Sequence, residues 1–211
     1  MQKHLDYIKR LKRELEMLPG EAAHVDMLPL RKASSEALKT VSNCRLSAVL
    51  VLMHEIKGEP HIVLTQRNQY EGKHSGQISF PGGKIESNDP DTHFTALRET
   101  EEEIGVHRDK VEVIGQLTEV YIPVSNFLIH PYIGFASDRI DPTPDPREVS
   151  KVINCSTRAL LSDENRVETK IKLDTGMVLK NVPAFNFDGH IVWGATAIIL
   201  NEVKYLLKRM T

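Results

Sequence analysis

Apolar residues near the start of the chain recur at steps of three and four, which is the spacing of one helix face. The residues that make this stripe are Leu5, Ile8, Leu11, Leu15 and Leu18. The pattern predicts an amphipathic N-terminal helix. We expect the stripe to pack against the rest of the chain, and a homodimer contact is the alternative.

Most of the remaining chain alternates short apolar runs with polar turns, which is typical of strands. Residues 45–54 and 61–67 predict a hairpin whose turn contains Gly58 and Pro60. Further strands are predicted at residues 111–117, 127–136 and 149–153, and helices at residues 156–161, with Ser156 as the cap, and 198–210. Strands mixed with helices predict an α/β fold whose mixed sheet is covered by helices on both faces.

The same pattern indicates a single domain over residues 1–211, in which residues 1–40 form a helical extension packed on the remainder. Three prolines within residues 138–147 predict a loop and not a domain boundary. A length of 211 residues with 40% hydrophobic content is sufficient for a sizeable core.

Charge and cysteine content narrow the possible classes of protein. A net charge of -2 shows no basic bias, so nucleic acid is not expected as a partner. The charged N-terminal segment has no long apolar run, so neither a signal peptide nor a membrane partner is expected. Two cysteines, Cys44 and Cys155, are too few for a disulfide framework, which favours a reducing compartment and a cytoplasmic location.

One further helix is predicted between Asp89 and Gly105. Asp89 is suited to the N-cap and Pro90 to the first helical position, where its missing N–H costs nothing. Gly105 is suited to the left-handed residue that follows a helix ending near Ile104. The helix therefore begins shortly after a Pro-Gly-Gly turn at residues 81–83.

Three glutamates lie on one face of this predicted helix. Glu99, Glu102 and Glu103 fall within about one third of its circumference, opposite its apolar side chains. A solvated acidic face is one explanation. A cation site is the other, because Mg²⁺ prefers carboxylate oxygens and bridges to substrate phosphates. The preceding glycine turn favours the cation site, since glycine lets the backbone approach a phosphate or metal closely.

These residues resemble the signature of the Nudix hydrolases. The positions that match its pattern are Gly83, Arg98, Glu99, Glu102, Glu103, Gly105 and Val106. The chain departs from the pattern at Asp89, where the family usually has Glu, at Thr100, where it has an aliphatic residue, and by one extra residue before Arg98. The resemblance implies a Nudix-like α/β/α sandwich and hydrolysis of a diphosphate that depends on Mg²⁺ or Mn²⁺.

The flanking sequence is similar to the coenzyme A pyrophosphatase branch of that superfamily, which also carries the extra residue. The matching positions are Leu64, Thr65, Arg67, His74, Gly76, Phe80 to Gly83 and Val192 to Thr196. Asn68 and Gln69 depart from the Ser-Ala that is common in the branch. The resemblance implies that the substrate is coenzyme A or acyl-CoA, and that the products are (acyl-)phosphopantetheine and adenosine 3′,5′-bisphosphate.

Similarity to Nudix enzymes also implies roles for the residues of the helix. Glu99 and Glu103 are expected to bind the metal, and Glu102 to be a further ligand or to order the attacking water. Arg98 is expected to hold a carboxylate in place through a bidentate contact.

Five other residues complete the predicted site, and four of them have a structural alternative. Glu148 is the candidate general base, or else a surface charge at the start of a strand. Arg67 and His74 are expected to contact the substrate's phosphates, and a structural role is the alternative for His74. Gly82 and Gly83 are expected to line the phosphate site, or else to form only a tight turn.

Three functions remain open from the sequence. The first is hydrolysis of coenzyme A or acyl-CoA, and the second is the same chemistry on another nucleoside diphosphate derivative such as ADP-ribose. The third is a catalytically silent, Nudix-like ligand sensor, which the intact set of three glutamates disfavours. In each case the expected partner is a small-molecule nucleotide.

Overall fold

The computed structural model describes residues 2–28, 32–68, 76–136, 139–172 and 176–211. The main sheet contains β1 (Arg45–Ile56), β2 (Glu59–Arg67), β3 (Ile78–Ser79), β4 (Gly82–Lys84), β5 (Val111–Gln116), β6 (Val120–Ile122), β7 (Phe127–Ala136) and β8 (Val149–Ser156). A second sheet contains β9 (Arg166–Lys172), β10 (Val178–Phe187) and β11 (His190–Trp193). The α-helices are α1 (Gln2–Leu15), α2 (Glu21–His24), α3 (Ser34–Leu38), α4 (Thr92–Ile104), α5 (Thr157–Leu161) and α6 (Gly194–Met210).

Strand β1 lies at the centre of the main sheet and shows why helices cover both faces. It pairs antiparallel with β2 and β4 and parallel with β7, so the sheet is mixed. Ala48, Leu50 and Leu52 belong to the apolar cluster on the α4 side, whereas Val51 and Met53 belong to the cluster that contains α6. Such burial of alternate residues on both faces requires cover on both sides. The predicted α/β fold, with helices flanking a mixed sheet, is confirmed.

The bounds of several elements agree closely with the sequence pattern. Strand β7 covers the predicted residues 127–136, and Ser156 caps α5 as expected. The β1–β2 turn differs from the prediction, because it is formed by Lys57 and Gly58, both with positive φ, while Pro60 lies inside β2. Two left-handed residues in succession match the twist of the flanking strands.

The second sheet and the short strands β3, β4 and β6 were not predicted. Strand β9 alternates exposed charged residues with half-buried ones, so its apolar signal is weak. Strand β4 consists largely of glycine, which is disfavoured in strands. These strands form because neighbouring strands complete their hydrogen bonds.

The N-terminal segment packs on α6 and β5. Ile8 and Leu11 are buried in the larger apolar cluster, whereas Leu5 remains 43% exposed. Most of the predicted apolar stripe therefore faces the chain's own core. Within the described ranges, no helix combines the length and the apolar composition that crossing a bilayer requires.

A buried carboxylate joins this N-terminal segment to the rest of the chain. Glu202, on α6, is fully enclosed and accepts hydrogen bonds from the backbone N–H of Gly20 at 3.3 Å and from Thr118 Oγ1 at 2.6 Å. The backbone N–H of Thr118 also donates to it at 3.2 Å, and His24 Nε2 lies 3.1 Å away. These contacts offset the cost of burying the carboxylate and hold three segments at one point.

Candidate active site

Gly82 lets β4 lie close to β1, and Gly83 lets α4 pack directly on β4. A side chain at Gly82 would place its Cβ 2.4 Å from the carbonyl oxygen of Ala48, and one at Gly83 would place it 2.5 Å from the carboxylate of Glu99. At Gly82 the obstacle is backbone, whereas at Gly83 the Glu99 carboxylate would have to move away. The glycine turn therefore permits the close approach of a glutamate from the helix to the sheet, in addition to any role toward a phosphate.

Helix α4 begins later than predicted. Its N-cap is Asp91, whose side chain accepts a hydrogen bond from the backbone N–H of Phe94 at 2.7 Å, so the predicted start at Asp89 and Pro90 is wrong. The predicted end is confirmed, because Gly105 has the left-handed conformation with φ of 67°.

Asp89 has a different role, since it forms a fork with Arg98. The two Asp89 oxygens accept from Arg98 Nε and Nη2, each at 2.9 Å, and one also accepts from Thr95 Oγ1 at 2.8 Å. The Arg98 guanidinium thereby holds the pKa of Asp89 well below its usual range. Bidentate pairs of this kind are strong and directional.

The remaining donors of Arg98 contact the acidic face of α4. Arg98 Nη1 lies 3.0 Å from Glu99 Oε1 and 2.9 Å from Glu102 Oε2, and Nη2 also contacts the carbonyl of Lys84 at 3.3 Å. The side chain is only 12% exposed. Arg98 therefore links the loop before α4 to two of its glutamates.

Glu103 is the most deeply buried carboxyl group on this face of α4. It is 5% exposed, and burial raises its pKa to about 8, although the nearby charge of Arg67 opposes the rise. A backbone hydrogen bond from Gly82 reaches it, but its Oε2 atom is enclosed and has no hydrogen-bond partner among the described residues. A buried carboxylate with an unpartnered oxygen is costly unless a cation or donor binds there.

Glu99 and Glu148 both interact electrostatically with Glu103. Both raise the pKa of Glu103, and burial raises the pKa of Glu99 although Arg98 opposes it. Arg67 supplies positive charge beside Glu103, and its enclosed Nε has no hydrogen-bond partner in the described part of the chain. Three carboxylates and one guanidinium thus influence one another at the junction of α4, β2 and β8.

The proline-rich loop brings Glu148 to this junction. The backbone N–H groups of Thr143 and Asp145 donate to the carbonyls of Ile104 and Glu103, each at 2.8 Å. Carbonyls in the last turn of a helix lack partners within the helix, so the loop completes the end of α4. No local signal in the sequence indicates this contact, because it joins segments that are far apart in the chain.

The structure brings most of the predicted site residues together. Glu102 lies at the edge of the group with its side chain 59% exposed. Glu101 points elsewhere and pairs with Arg108 at 2.8 Å, as expected from its place on the helix. His74 lies outside the described residues. The contribution of Asp89 as the anchor of Arg98 was missed, because its residue type suggested a helix cap.

The donor set fits a hard divalent cation. Carboxylate oxygens are the ligands that Mg²⁺ prefers, and the enclosed Oε2 of Glu103 lacks a partner among the described residues. Within those residues, no three His, Cys, Asp or Glu side chains already converge as a complete metal site. The chemistry of the residues therefore fits the cation, and the side chains would have to adjust around it.

A model of the NUDIX domain matches residues 45–173, which cover the main sheet, α4 and β9. The chain belongs to the Nudix hydrolase family. Nudix hydrolase 22, chloroplastic, from Arabidopsis thaliana is 36% identical over 163 residues, which are 73% of this chain and 52% of the relative. The chain thus spans about half the length of the plant Nudix relatives it matches.

A human Nudix relative and a solved bacterial structure extend the comparison. The mitochondrial coenzyme A diphosphatase NUDT8 of Homo sapiens is 34% identical over 165 residues, covering 76% of this chain and 69% of that protein. The crystal structure of a MutT/nudix family protein from Enterococcus faecalis aligns with a TM-score of 0.54 at 16% identity, covering 90% of this chain and 75% of that one. This structural likeness shows a shared Nudix fold.

Proposed function

We propose that this Nudix protein hydrolyses the diphosphate bond of coenzyme A or acyl-CoA with Mg²⁺ or Mn²⁺. The observation that carries the metal-dependent chemistry is the enclosed Glu103 carboxylate with Glu99 and Glu148 beside it. The substrate is supported by the match at Leu64, Thr65 and Arg67 and by the human relative named a coenzyme A diphosphatase.

Each residue has a proposed role in this reaction. Glu99 and Glu103 would hold the cation, with Glu102 as a further ligand or as the residue that orders water. The bound cation supplies stabilisation of negative charge on the diphosphate oxygens. Arg98 acts as a positioning residue, because its donors are directed to Asp89 and to the glutamates. Arg67 and His74 would contact the substrate's phosphates.

Water is the nucleophile in the proposed reaction. Its oxygen bonds to one phosphorus as the bridging P–O bond breaks, and its proton passes to a general base. We assign the base to Glu148, because it is exposed at the edge of the site whereas Glu99 and Glu102 are already bound by Arg98. The phosphate ester that leaves with the bridging oxygen is the other product.

A panel of diphosphates tests the proposal. Coenzyme A, acetyl-CoA, ADP-ribose and a dinucleotide are incubated with Mg²⁺, and mass spectrometry identifies the products. Adenosine 3′,5′-bisphosphate and phosphopantetheine are expected from coenzyme A. Cleavage of ADP-ribose with coenzyme A untouched would support the alternative substrate, and no cleavage of any compound would support the ligand sensor.

Substitution of single carboxylates tests the assignment of the metal ligands. Glu99→Gln and Glu103→Gln should each lose most turnover, because each removes a cation ligand. Glu101→Gln is the matched control on the same helix, since Glu101 pairs with Arg108 away from the group, and it should retain near-normal turnover. Normal turnover in both ligand variants would remove the assignment.

Domain organisation, assembly and location complete the proposal. We infer a single domain over residues 1–211 and keep the homodimer as an alternative that light scattering would detect. The free Cys44 and Cys155 are compatible with the cytoplasm. Because relatives are named for chloroplasts and mitochondria, cell fractionation is the deciding measurement for location.

A further inference from the structure

Asn68, which directly follows β2, contacts the proline-rich loop that carries Glu148. Its side-chain nitrogen Nδ2 donates to the carbonyl of Pro146 at 2.8 Å. Its backbone N–H donates to the carbonyl of Glu148 at 3.1 Å. Asn68 thus binds the loop at two carbonyls, one on Glu148 itself and the other two residues before it.

The first residues of β8 form a bulge against β2. Val149 pairs with Arg67 and Lys151 pairs with Gln66, so Ser150 is the extra residue of the bulge. The Ser150 hydroxyl lies 3.0 Å from the carbonyl oxygen of Gln66 and 3.3 Å from that of Arg67. A bulge bends its strand and changes the direction of neighbouring side chains. The entry into β8 is therefore fixed to β2 by side-chain contacts as well as by strand pairing.

The other end of the same loop is fixed to α4. The backbone N–H of Asp145 donates to the carbonyl of Glu103, and the backbone N–H of Glu148 donates in turn to the carbonyl of Asp145 at 3.1 Å. Glu148 therefore lies between the end of α4 and Asn68. Its charge reaches Glu99 and Glu103, since it raises the pKa of both carboxyl groups.

We propose that Asn68 is a positioning residue that places the Glu148 carboxylate for its role as general base. The inference rests on the proposed function, because it assumes that Glu148 takes the proton of the attacking water. Proton transfer requires the base within hydrogen-bond distance of that proton. A displacement of about 1 Å can lower a rate by about 100-fold, so a contact that fixes the loop should affect turnover.

Steady-state kinetics of Asn68→Ala test the placement. The substitution removes the donor to Pro146 and leaves the backbone contact with Glu148, so the loop keeps part of its support. With coenzyme A at saturating Mg²⁺, we expect kcat to fall about 10-fold and KM to stay within about twofold. Asn68→Ser keeps a hydroxyl donor on a side chain that is one bond shorter, and it should recover part of the loss.

A double variant separates placement of the base from a general effect on the fold. Glu148→Gln should lower kcat by about 100-fold or more, because it removes the base. If Asn68 acts through Glu148, adding Asn68→Ala to Glu148→Gln should lower kcat by no more than about a further twofold. A merely structural role for Asn68 would give the same 10-fold loss in both backgrounds and would overturn the inference.

Asn165→Ala is the matched control. The side-chain amide of Asn165 donates to the carbonyl of Ala159 at 2.8 Å, which is the distance of the Asn68 contact, but in the segment that joins α5 to β9. The control thus removes the same kind of hydrogen bond away from Glu148. Its kcat should stay within about twofold of the wild-type value, even if its thermal midpoint falls as far as that of Asn68→Ala.

Amide hydrogen exchange tests the contact without turnover. The backbone N–H groups of Asp145, Glu148 and Val149 all donate to carbonyls within the loop or at the end of α4. Asn68→Ala should speed their exchange about 5- to 10-fold, as expected when local opening no longer breaks the Asn68 hydrogen bond. Exchange of amides inside β1 should stay unchanged.

These measurements distinguish failure of the inference from failure of the proposed function. If the wild-type chain cleaves no diphosphate, the proposed function fails, and hydrogen exchange alone decides whether Asn68 fixes the loop. If Asn68→Ala or Glu148→Gln keeps kcat within twofold, the inference is overturned while hydrolysis stands. Unchanged exchange of the three loop amides in Asn68→Ala overturns it as well.

Discussion

Burial of the Glu103 carboxylate lowers the stability of the metal-free protein, whereas the proposed function needs that carboxylate. One substitution measures both effects. Glu103→Gln keeps the size of the side chain and an acceptor for the backbone N–H of Gly82, but it removes the charge. We expect most turnover to be lost, because a proposed cation ligand is lost. We also expect the metal-free protein to become more stable.

The magnitude follows from the pKa of Glu103. Burial raises this pKa from 4.5 to about 8 in the folded chain, so folding opposes ionisation. The cost is absent below the lower value, grows as pH rises, and is complete above the higher one, where it is about 5 kcal/mol. At pH 7 the cost is about 3 kcal/mol by the same relation. We expect about 2 kcal/mol of it to appear as added stability, since the attraction to Arg67 is lost as well.

Urea unfolding in EDTA, at about pH 5, 7 and 8.5, measures the difference in the free energy of unfolding between Glu103→Gln and the wild type. This difference should widen as pH rises. Mg²⁺ should reverse it, because a ligand that binds the folded wild type adds stability. Glu102→Gln is the matched control: this side chain is 59% exposed, and its loss should change the free energy of unfolding by less than about 1 kcal/mol. A Glu103→Gln protein less stable than wild type in EDTA at every pH would refute the reasoning.

Three further predictions concern other parts of the site and core. Asp89→Asn should lower the free energy of unfolding by about 2 kcal/mol at pH 7. Because Arg98 lowers the pKa of Asp89, this contribution fades as pH falls through that lowered pKa. Urea unfolding at low pH should therefore show a smaller difference between the variant and the wild type. Gly83→Ala would place Cβ 2.5 Å from the Glu99 carboxylate, so turnover should fall by about tenfold or more and calorimetry should show weaker Mg²⁺ binding with an unchanged circular dichroism spectrum. Burial raises the pKa of Cys155 to about 12, so a thiol reagent should titrate Cys44 alone in the native chain and both cysteines in urea; two fast native thiols would contradict this.

The acidic face of α4 was predictable because helical spacing is a local property of the chain. Its first residue was not, because Asp89 is equally suited to a cap and to an ion pair. The choice between the two depends on Arg98, which reaches Asp89 only once the helix and the preceding loop are packed together.

The unequal burial of the glutamates also lay beyond the sequence. A helical projection places Glu102 and Glu103 close together, yet the structure leaves one 59% exposed and the other only 5% exposed. The difference arises from what covers the helix: Gly82 and Arg67 interact with the Glu103 side chain, and the loop before β8 contacts the backbone of Glu103 and Ile104. That loop is distant in the chain, so neither its position nor the arrival of Glu148 leaves a periodic signal.

The contacts of Glu202 have a consequence for how the protein is made. Its partner His24 comes 178 residues earlier, so the ribosome completes the first part of this network long before the last. Until α6 has emerged, Gly20 and Thr118 lack their common acceptor and the N-terminal helices lack part of the surface on which they pack. Thr118 and the segment that carries Gly20 and His24 therefore gain their contacts with Glu202 only after α6 has been made, and a nascent chain halted before that point would expose part of the apolar face of α1 to chaperones.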